Sequence, residues 1–276
     1  LTDLITVWQR STVAELSWIA PSGPTGIPVV PLTLRDQACV ALPYSMADLA
    51  RSLDGRRHAA FSVTDQGAGG QVGLVGSGPV EVLEDLEGRE FAESLVEQEA
   101  LKHPPTRLRG DSLMARRENW WWVPRLIVTL ASVESLREIH PRTRATDALL
   151  VRDRHGLPEV DVVTADQWSD QSGPNIELWA RGGGLLAGTD EPAFAFSHQY
   201  SPDFERWERW FRSGRLSGES LLVEQAEGAP VGKEPAGPLP PYGLLERYSN
   251  HRSLARSCRR GISEAEHRRR AQGLLG

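Results

Sequence analysis

The chain has 276 residues, with 37 acidic side chains against 31 basic ones and a formal charge of -6, a balance that argues against general nucleic-acid binding. Hydrophobic residues make up 39% and charged residues 25%, the makeup of a globular chain long enough for two ordinary domains. No apolar run approaches the roughly 18–20 residues that span a bilayer. Cys39 and Cys258 belong to no CxxC pair, so neither a disulfide framework nor a zinc site has support.

"LTDLITVWQRST" at the start lacks the basic residues and apolar stretch of a secretion signal, and with reduced thiols this predicts a cytoplasmic protein. "TVAELSWIA" alternates apolar and polar residues as a half-buried strand does. "PSGPTG" is a turn, and "IPVVPLTLR" resumes as an edge or bulged strand, its prolines unable to donate to a ladder. "ACVALPY" reads as a third strand. "SMADLARSLDG" reads as a short helix with Ser45 as N-cap, Asp48 at the capping-box position and Gly55 past its end. "HAAFSVTD" and "GQVGLVGSGPVEVLED" are strands, the second with glycines that permit a bend. "EGREFAESLVEQEALKHPP" is an amphipathic helix closed by Pro104 and Pro105. "WWWVPRLIVTLASV" is predicted as a long strand and "SVESLREIHP" as a short helix.

The second part repeats this order. "DALLVRDRHGLPEVDVVTAD" is a hairpin turning at "RDRHG", and "HGLPEVDVVTAD" is a near relation of "TGIPVVPLTLRD" at Thr25 to Asp36. "NIELWARGG" stands where "ACVALPY" stood, "PAFAFSHQ" matches "HAAFSVTD", and "SGRLSGESLLVEQAEG" matches "VGLVGSGPVEVLEDLEG". Between the last two the second copy inserts "YSPDFERWERWFR", predicted as a helix with Ser201 as N-cap. "APVGKEPAGPLPPYG" is a linker or strap. From Tyr242 on, eight arginines oppose three glutamates, so the tail is about +5 and the remainder about -11. The tail is expected to form two short helices packed on the acidic body of its own or a partner chain. The reading is a mainly β chain with peripheral helices, divided at 1–145, 146–229 and 230–276.

The stretch from Thr12 to Leu130, through "GIPVVPLTL", "VALPYSMADLARSL", "HAAFSVTD" and "GLVGSGPVEVLED", resembles the pyridoxamine 5′-phosphate oxidase-like split β-barrel family. The resemblance implies tandem split β-barrels forming an intrachain pseudo-dimer, the second copy degenerate. It implies a cleft between the barrels for FMN or a deazaflavin, or alternatively haem, and hydride transfer to or from a small-molecule substrate. In flavin-binding relatives a Ser or Thr followed by a basic pair holds the phosphate. Here Ser45 fits the hydroxyl, with Tyr44 beside it, but Met46 and Ala47 replace the basic pair. Arg35 and Arg51 are the available substitutes, and ordinary capping is the other role open to Ser45.

In "RRENWWWVPRLIV" a strand would turn Trp121 away from Trp120 and Trp122, so one face must line an interface or a cofactor wall. Arg125 shares the side of Trp121 and meets either a ligand's anion or a structural carboxylate. No metal-ligand spacing occurs among the seven histidines; His198, in "AFSHQY", is the candidate ligand if the cofactor is haem. "GSGP" and "GGG" are not dinucleotide fingerprints, and no nucleophile elbow is present. Any redox chemistry therefore belongs to a cofactor that the protein positions. A barrel without cofactor, serving as a binding module, is the remaining alternative, and further association into a homo-oligomer stays open.

Overall fold

The computed structural model describes residues 3–53, 58–64, 72–110, 117–168, 174–230 and 239–273, with backbone alone for 110 and 117–119. Gly55, and positions 231–238 of the expected linker, lie outside the described residues. The first sheet is built from β1 (Ala14–Ala20), β2 (Gly23–Val29), β3 (Leu32–Leu34), β4 (Gln37–Pro43), β5 (His58–Val63), β6 (Gly73–Asp85), β7 (Arg125–Leu130) and β8 (Ser135–Ile139). Its order is β2-β1-β5-β6-β7-β4-β3, with β8 on β6. β6 serves three partners: its first half pairs with β5 and β8, its second half with β7. Such sharing by one long strand bends the sheet into a split, barrel-like form.

The second sheet comprises β9 (Asp147–Arg154), β10 (Leu157–Thr164), β11 (Asn175–Glu177), β12 (Trp179–Ala180), β13 (Gly188–Tyr200), β14 (Trp207–Gly218) and β15 (Ser220–Glu227), in the order β11-β15-β14-β13-β9-β10-β12. Run from the other end, β10-β9-β13-β14-β15-β11 follows the path of β2-β1-β5-β6-β7-β4. The same winding is built twice, and the chain is a tandem of two such units.

Residue equivalences follow from register. Two-residue turns close both hairpins, Ala20 opposite Gly23 and Arg154 opposite Leu157. Leu16 then pairs with Phe61 as Leu150 pairs with Ala195, and Val63 with Leu74 as Ser197 with Trp210. By this register Gly26 matches Val160 and Ile27 matches Asp161. The Gly-aliphatic-Pro likeness in the sequence is thus out of register: Gly26 lies within β2, whereas Gly156 lies in a hairpin turn with φ +84°. The duplication holds in topology although that motif does not superpose.

Strand alternation sorts each inner strand between a barrel interior and the seam between units. On β1, Ala14, Leu16 and Trp18 join the first barrel's core, while Glu15 and Ser17 take the other face. On β9, Ala148 and Leu150 face the second barrel's interior, whereas Leu149 and Val151 join Phe194, Phe196, Val160 and Ala60 at the seam. Across the seam β2 meets β13 as β5 meets β10, β1 meets β10 as β2 meets β9, and β1 meets β9. That set is unchanged when the units are exchanged, as in a two-fold dimer interface within one chain.

The helices are α1 (Leu4–Arg10), α2 (Ala47–Arg51), α3 (Val96–Lys102), α4 (Pro104–Gly110) and α5 (Leu244–Ala271). α1 plugs the first barrel with Leu4 and Trp8, and the Trp8 indole donates to the Leu32 carbonyl (2.7 Å). Six sequence-based expectations change. Ser45 does not cap α2: it sits in a 3-10 turn, Tyr44–Met46, that leads into the helix. The three tryptophans are not in a strand, because Pro124 delays β7 and residues 117–122 form 3-10 turns. Successive side chains then differ by about 120° rather than 180°, so Trp121 and Trp122 are both buried while Trp120 is 47% exposed. Residues 135–139 are a strand, since the first half of β6 offers them a ladder. "YSPDFERWERWFR" is a turn and a strand: Phe204 has φ +58°, and Trp207 and Trp210, at helical spacing, sit on β14. The tail is one 28-residue helix. Pro104 also opens α4 rather than merely ending α3.

Candidate functional site

Where the seam reaches the helices, both units and α5 enclose a cavity of about 850 Å³. β2 and β4 supply an apolar wall that includes Ile27, Val29, Val40 and Leu42. The 3-10 turns before β7 add Trp121 and Trp122, and the turn between β13 and β14 brings Phe204, Trp207 and Arg209 from the second unit. α5 roofs the opening with Leu244, Arg247, Tyr248, His251 and Leu254.

α5 is held at both ends by charge, as the basic tail foretold, and on its own chain. Arg247 pairs with Asp203 (2.5 Å) and Glu205 (2.9 Å) of the second unit, and Arg268 with Glu84 (3.2 Å) of the first. Between these anchors Gly261 lies directly on the Tyr44 carbonyl, where a Cβ would overlap it.

The cavity floor carries a buried polar chain. Arg125 donates to Glu99 (3.0 Å) and to the Trp122 carbonyl, and its guanidinium lies 4.3 Å from the Phe91 ring centroid. The Thr106 hydroxyl donates to Glu99 (2.6 Å), and His103 Nδ1 lies 3.1 Å from Thr106 Oγ1. Burial pushes the Glu99 carboxyl up, but the charge of Arg125 and the bonds from Thr106 and Arg125 outweigh it and hold it below its usual range. Burial drives His103 down to about 4, with Arg109 and Arg125 adding to the effect against the pull of Glu99, so its imidazole is neutral at pH 7. Burial and the same Arg109, with Arg259, also lower His251, whose ring meets the Trp121 edge at 5.3 Å.

Of the residues singled out in the sequence, Ser45, Trp121 and Arg125 line the cavity, and Arg35, Tyr44 and Arg51 do not. Arg35 is an exposed residue paired with Glu90 (3.3 Å), and Arg51 pairs with Asp48. Tyr44 is buried under α5, where desolvation first and Glu84 next push its phenol up. His198 is also outside: it sits in the seam against Arg142 (2.7 Å) and Glu15 (3.1 Å). Glu15 accepts from Ser62 (3.1 Å), Thr64 (2.6 Å) and Arg142 (3.0 Å) of its own unit, and Arg142 donates to Ser197 (2.9 Å) of the second, so that with His198 this polar group locks the two units together.

Sequence reasoning missed Arg109, Arg209, Arg247, His103 and His251. Only the excess of arginine in the tail pointed towards one of them. Among the described lining residues, Arg109, Arg125, Arg209 and Arg247 stand against Glu99 and Glu205, a surplus of two positive charges. The cavity therefore suits a large, mostly apolar ligand that carries negative charge. No grouping of residues suited to holding a metal ion directly occurs among the described residues, and no described helix is long and apolar enough to cross a membrane.

No known family's sequence profile matches the chain, and no curated protein matches it significantly in sequence. Eleven chains of solved structures are similar in trace, among them the following three. A haem-binding protein from Mycobacterium smegmatis is 11% identical over 94% of this chain and 99% of its own, with a TM-score of 0.32. An FAD- and haem-binding protein from the same organism is 15% identical over 62% and 85%, at 0.35. The haem storage protein HutZ from Vibrio cholerae is 10% identical over 49% and 92%, at 0.34. Scores this low leave architecture and site to be judged on this chain's own residues.

Proposed function

We propose that this chain is a split-barrel binding protein for a large, planar, dianionic cofactor, with flavin mononucleotide or a deazaflavin as the leading candidate. The observation that carries the reading is the surplus of two positive charges inside a cavity walled by Trp121, Trp122 and Trp207. An aromatic ring system has flat apolar walls to lie against, and a phosphate dianion matches the surplus. The phosphate belongs with Arg209 and Arg109 rather than with Ser45: Arg35 and Arg51 beside that turn pair with Glu90 and Asp48, as Arg247 pairs with Asp203 and Glu205. A bound flavin would supply hydride transfer to or from a small substrate. The chain's own residues would orient the ring, exclude water and balance its charge.

Haem is a second reading, favoured by a separate observation. His103 and His251 both line the cavity and both are held neutral, the form in which imidazole ligates iron. Two propionates would answer the same two surplus charges.

Titrating the purified chain with FMN, a reduced or oxidised deazaflavin, and haemin tests both readings. Flavin binding is expected to quench tryptophan and flavin fluorescence together at micromolar concentrations. A Soret band sharpened on adding haemin, and lost in a His251→Ala variant, would favour haem. If none of the three binds, the cofactor reading fails.

A further inference from the structure

The pseudo-two-fold relation between the units maps the cavity onto a second place. The first cavity lies between β2 and β4 of one unit and the β13–β14 turn of the other. Exchange of the units turns β2 into β10, β4 into β11 and the start of β14 into the start of β6, so the mate lies on β10 beside the start of β6, where β12 pairs with β10. A cavity of about 460 Å³ lies there, lined by Asp161, Val162 and Ala180 on one side and Val72, Arg137 and Ile139 on the other.

Register makes the comparison residue by residue. In the first cavity, Arg209 donates to the Gly26 carbonyl (2.8 Å), and the next residue of that strand is Ile27. In the second, Arg137 donates to the carbonyl of Val160, the match of Gly26, and the next residue is Asp161, the match of Ile27. Asp161 takes up Arg137 (3.2 Å) and also Arg152 (2.6 Å). Arg152 in turn bonds Glu159 (2.8 Å) and the Leu186 carbonyl (2.7 Å). At the position equivalent to Arg209 the first unit carries Gly73, with no side chain.

The same carbonyl thus receives an arginine in both places. In one the neighbouring position is apolar and the charge is left for a ligand; in the other an aspartate neutralises it. Among the described lining residues the second cavity holds Arg137 and Arg152 against Glu138, Glu159 and Asp161, one negative charge in excess where the first has two positive. A dianion is drawn to one and repelled by the other.

We propose that the chain has one anion-binding site rather than two, that Arg209 of the second unit is the cation deciding it, and that in the mate Asp161 cancels the charge of Arg137 and Arg152. This rests on the charge reading of the cavity but not on the identity of the cofactor.

The test uses anilinonaphthalene sulfonate, a planar aromatic anion, on the full chain, with thermal melting as a check on folding. Wild type is expected to bind one dye per chain. Arg209→Gln keeps a donor for the Gly26 carbonyl and removes the charge, so dye affinity should fall about tenfold. Arg137→Gln, at the half-exposed mate position, should leave affinity and stoichiometry unchanged. Two equal sites in wild type, no site at all, or equal effects of the two variants would overturn the proposal. Dye binding without FMN, deazaflavin or haemin binding would leave it standing and sink only the cofactor reading.

Discussion

Glu99 sits where a carboxyl group should lose its charge, yet Arg125 and Thr106 keep it ionised. Removing one member of such a pair leaves the other buried and uncompensated. Glu99→Gln should therefore cost about 3–5 kcal/mol in urea unfolding, whereas Glu90→Gln, whose partner Arg35 is exposed, should cost under about 1 kcal/mol. His103 gives a pH signature. Its ordinary value of 6.5 falls to about 4 in the folded chain, so between those values the unfolded chain binds more protons. The neutral imidazole's contribution is complete above pH 6.5 and lost as pH falls towards 4, in all roughly 3 kcal/mol. In His103→Gln, stability between pH 6.5 and 4.5 should decline less steeply; an unchanged slope would show that other groups set the acid limb. That Arg125 would meet a carboxylate was legible as one of two roles; which carboxylate was not, because Glu99 lies 26 residues before Arg125 and only the docking of α3 and α4 beside β7 brings them together.

α5 is the element on which the site most depends and about which the sequence was least informative. Its 28 residues carry few apolar side chains, so no strong periodicity marks it as one continuous helix. Its position is fixed by arginine pairs at the ends and by a glycine in the middle. Gly261→Val should loosen its docking on the Tyr44 turn, at about 1–3 kcal/mol, and raise amide exchange across 244–271 while β1 and β5 stay protected. Equal loss of protection in the barrel would mean that α5 is part of the core. The strands were legible because their alternation reports burial directly. The tryptophan run and 200–212 were misread because residue types at strand or helical spacing were counted, while Pro124 in the first and the turn closed by Ser201, with Phe204 at φ +58°, in the second set the local backbone.

At the scale of the whole molecule, the duplication was visible in the order of segments and not in the motif that first suggested it. Of the four matched segments, "PAFAFSHQ" and "NIELWARGG" fell on equivalent strands; the opening motif matched out of register, and "SGRLSGESLLVEQAEG" runs from the end of β14 into β15 although β6 is the match of β14. The paired barrels share a seam in which Phe196 is fully buried against the backbone of Gly26 and the Phe194 ring. Phe196→Ala should destabilise the chain by about 3–5 kcal/mol. Both units should still unfold in one transition by tryptophan fluorescence and circular dichroism, because neither sheet's inner face is covered without the other. Two separated transitions in wild type would mean independent barrels.

The central claim is that one chain supplies both sides of a single anion-binding cavity. Amide exchange with and without saturating FMN, repeated with haemin, tests it most directly. Protection is predicted to appear together on Ile27–Val29 and Val40–Pro43 of the first unit, Phe204–Arg209 of the second, and the first turns of α5. Protection confined to one unit, or none with either compound, would contradict it.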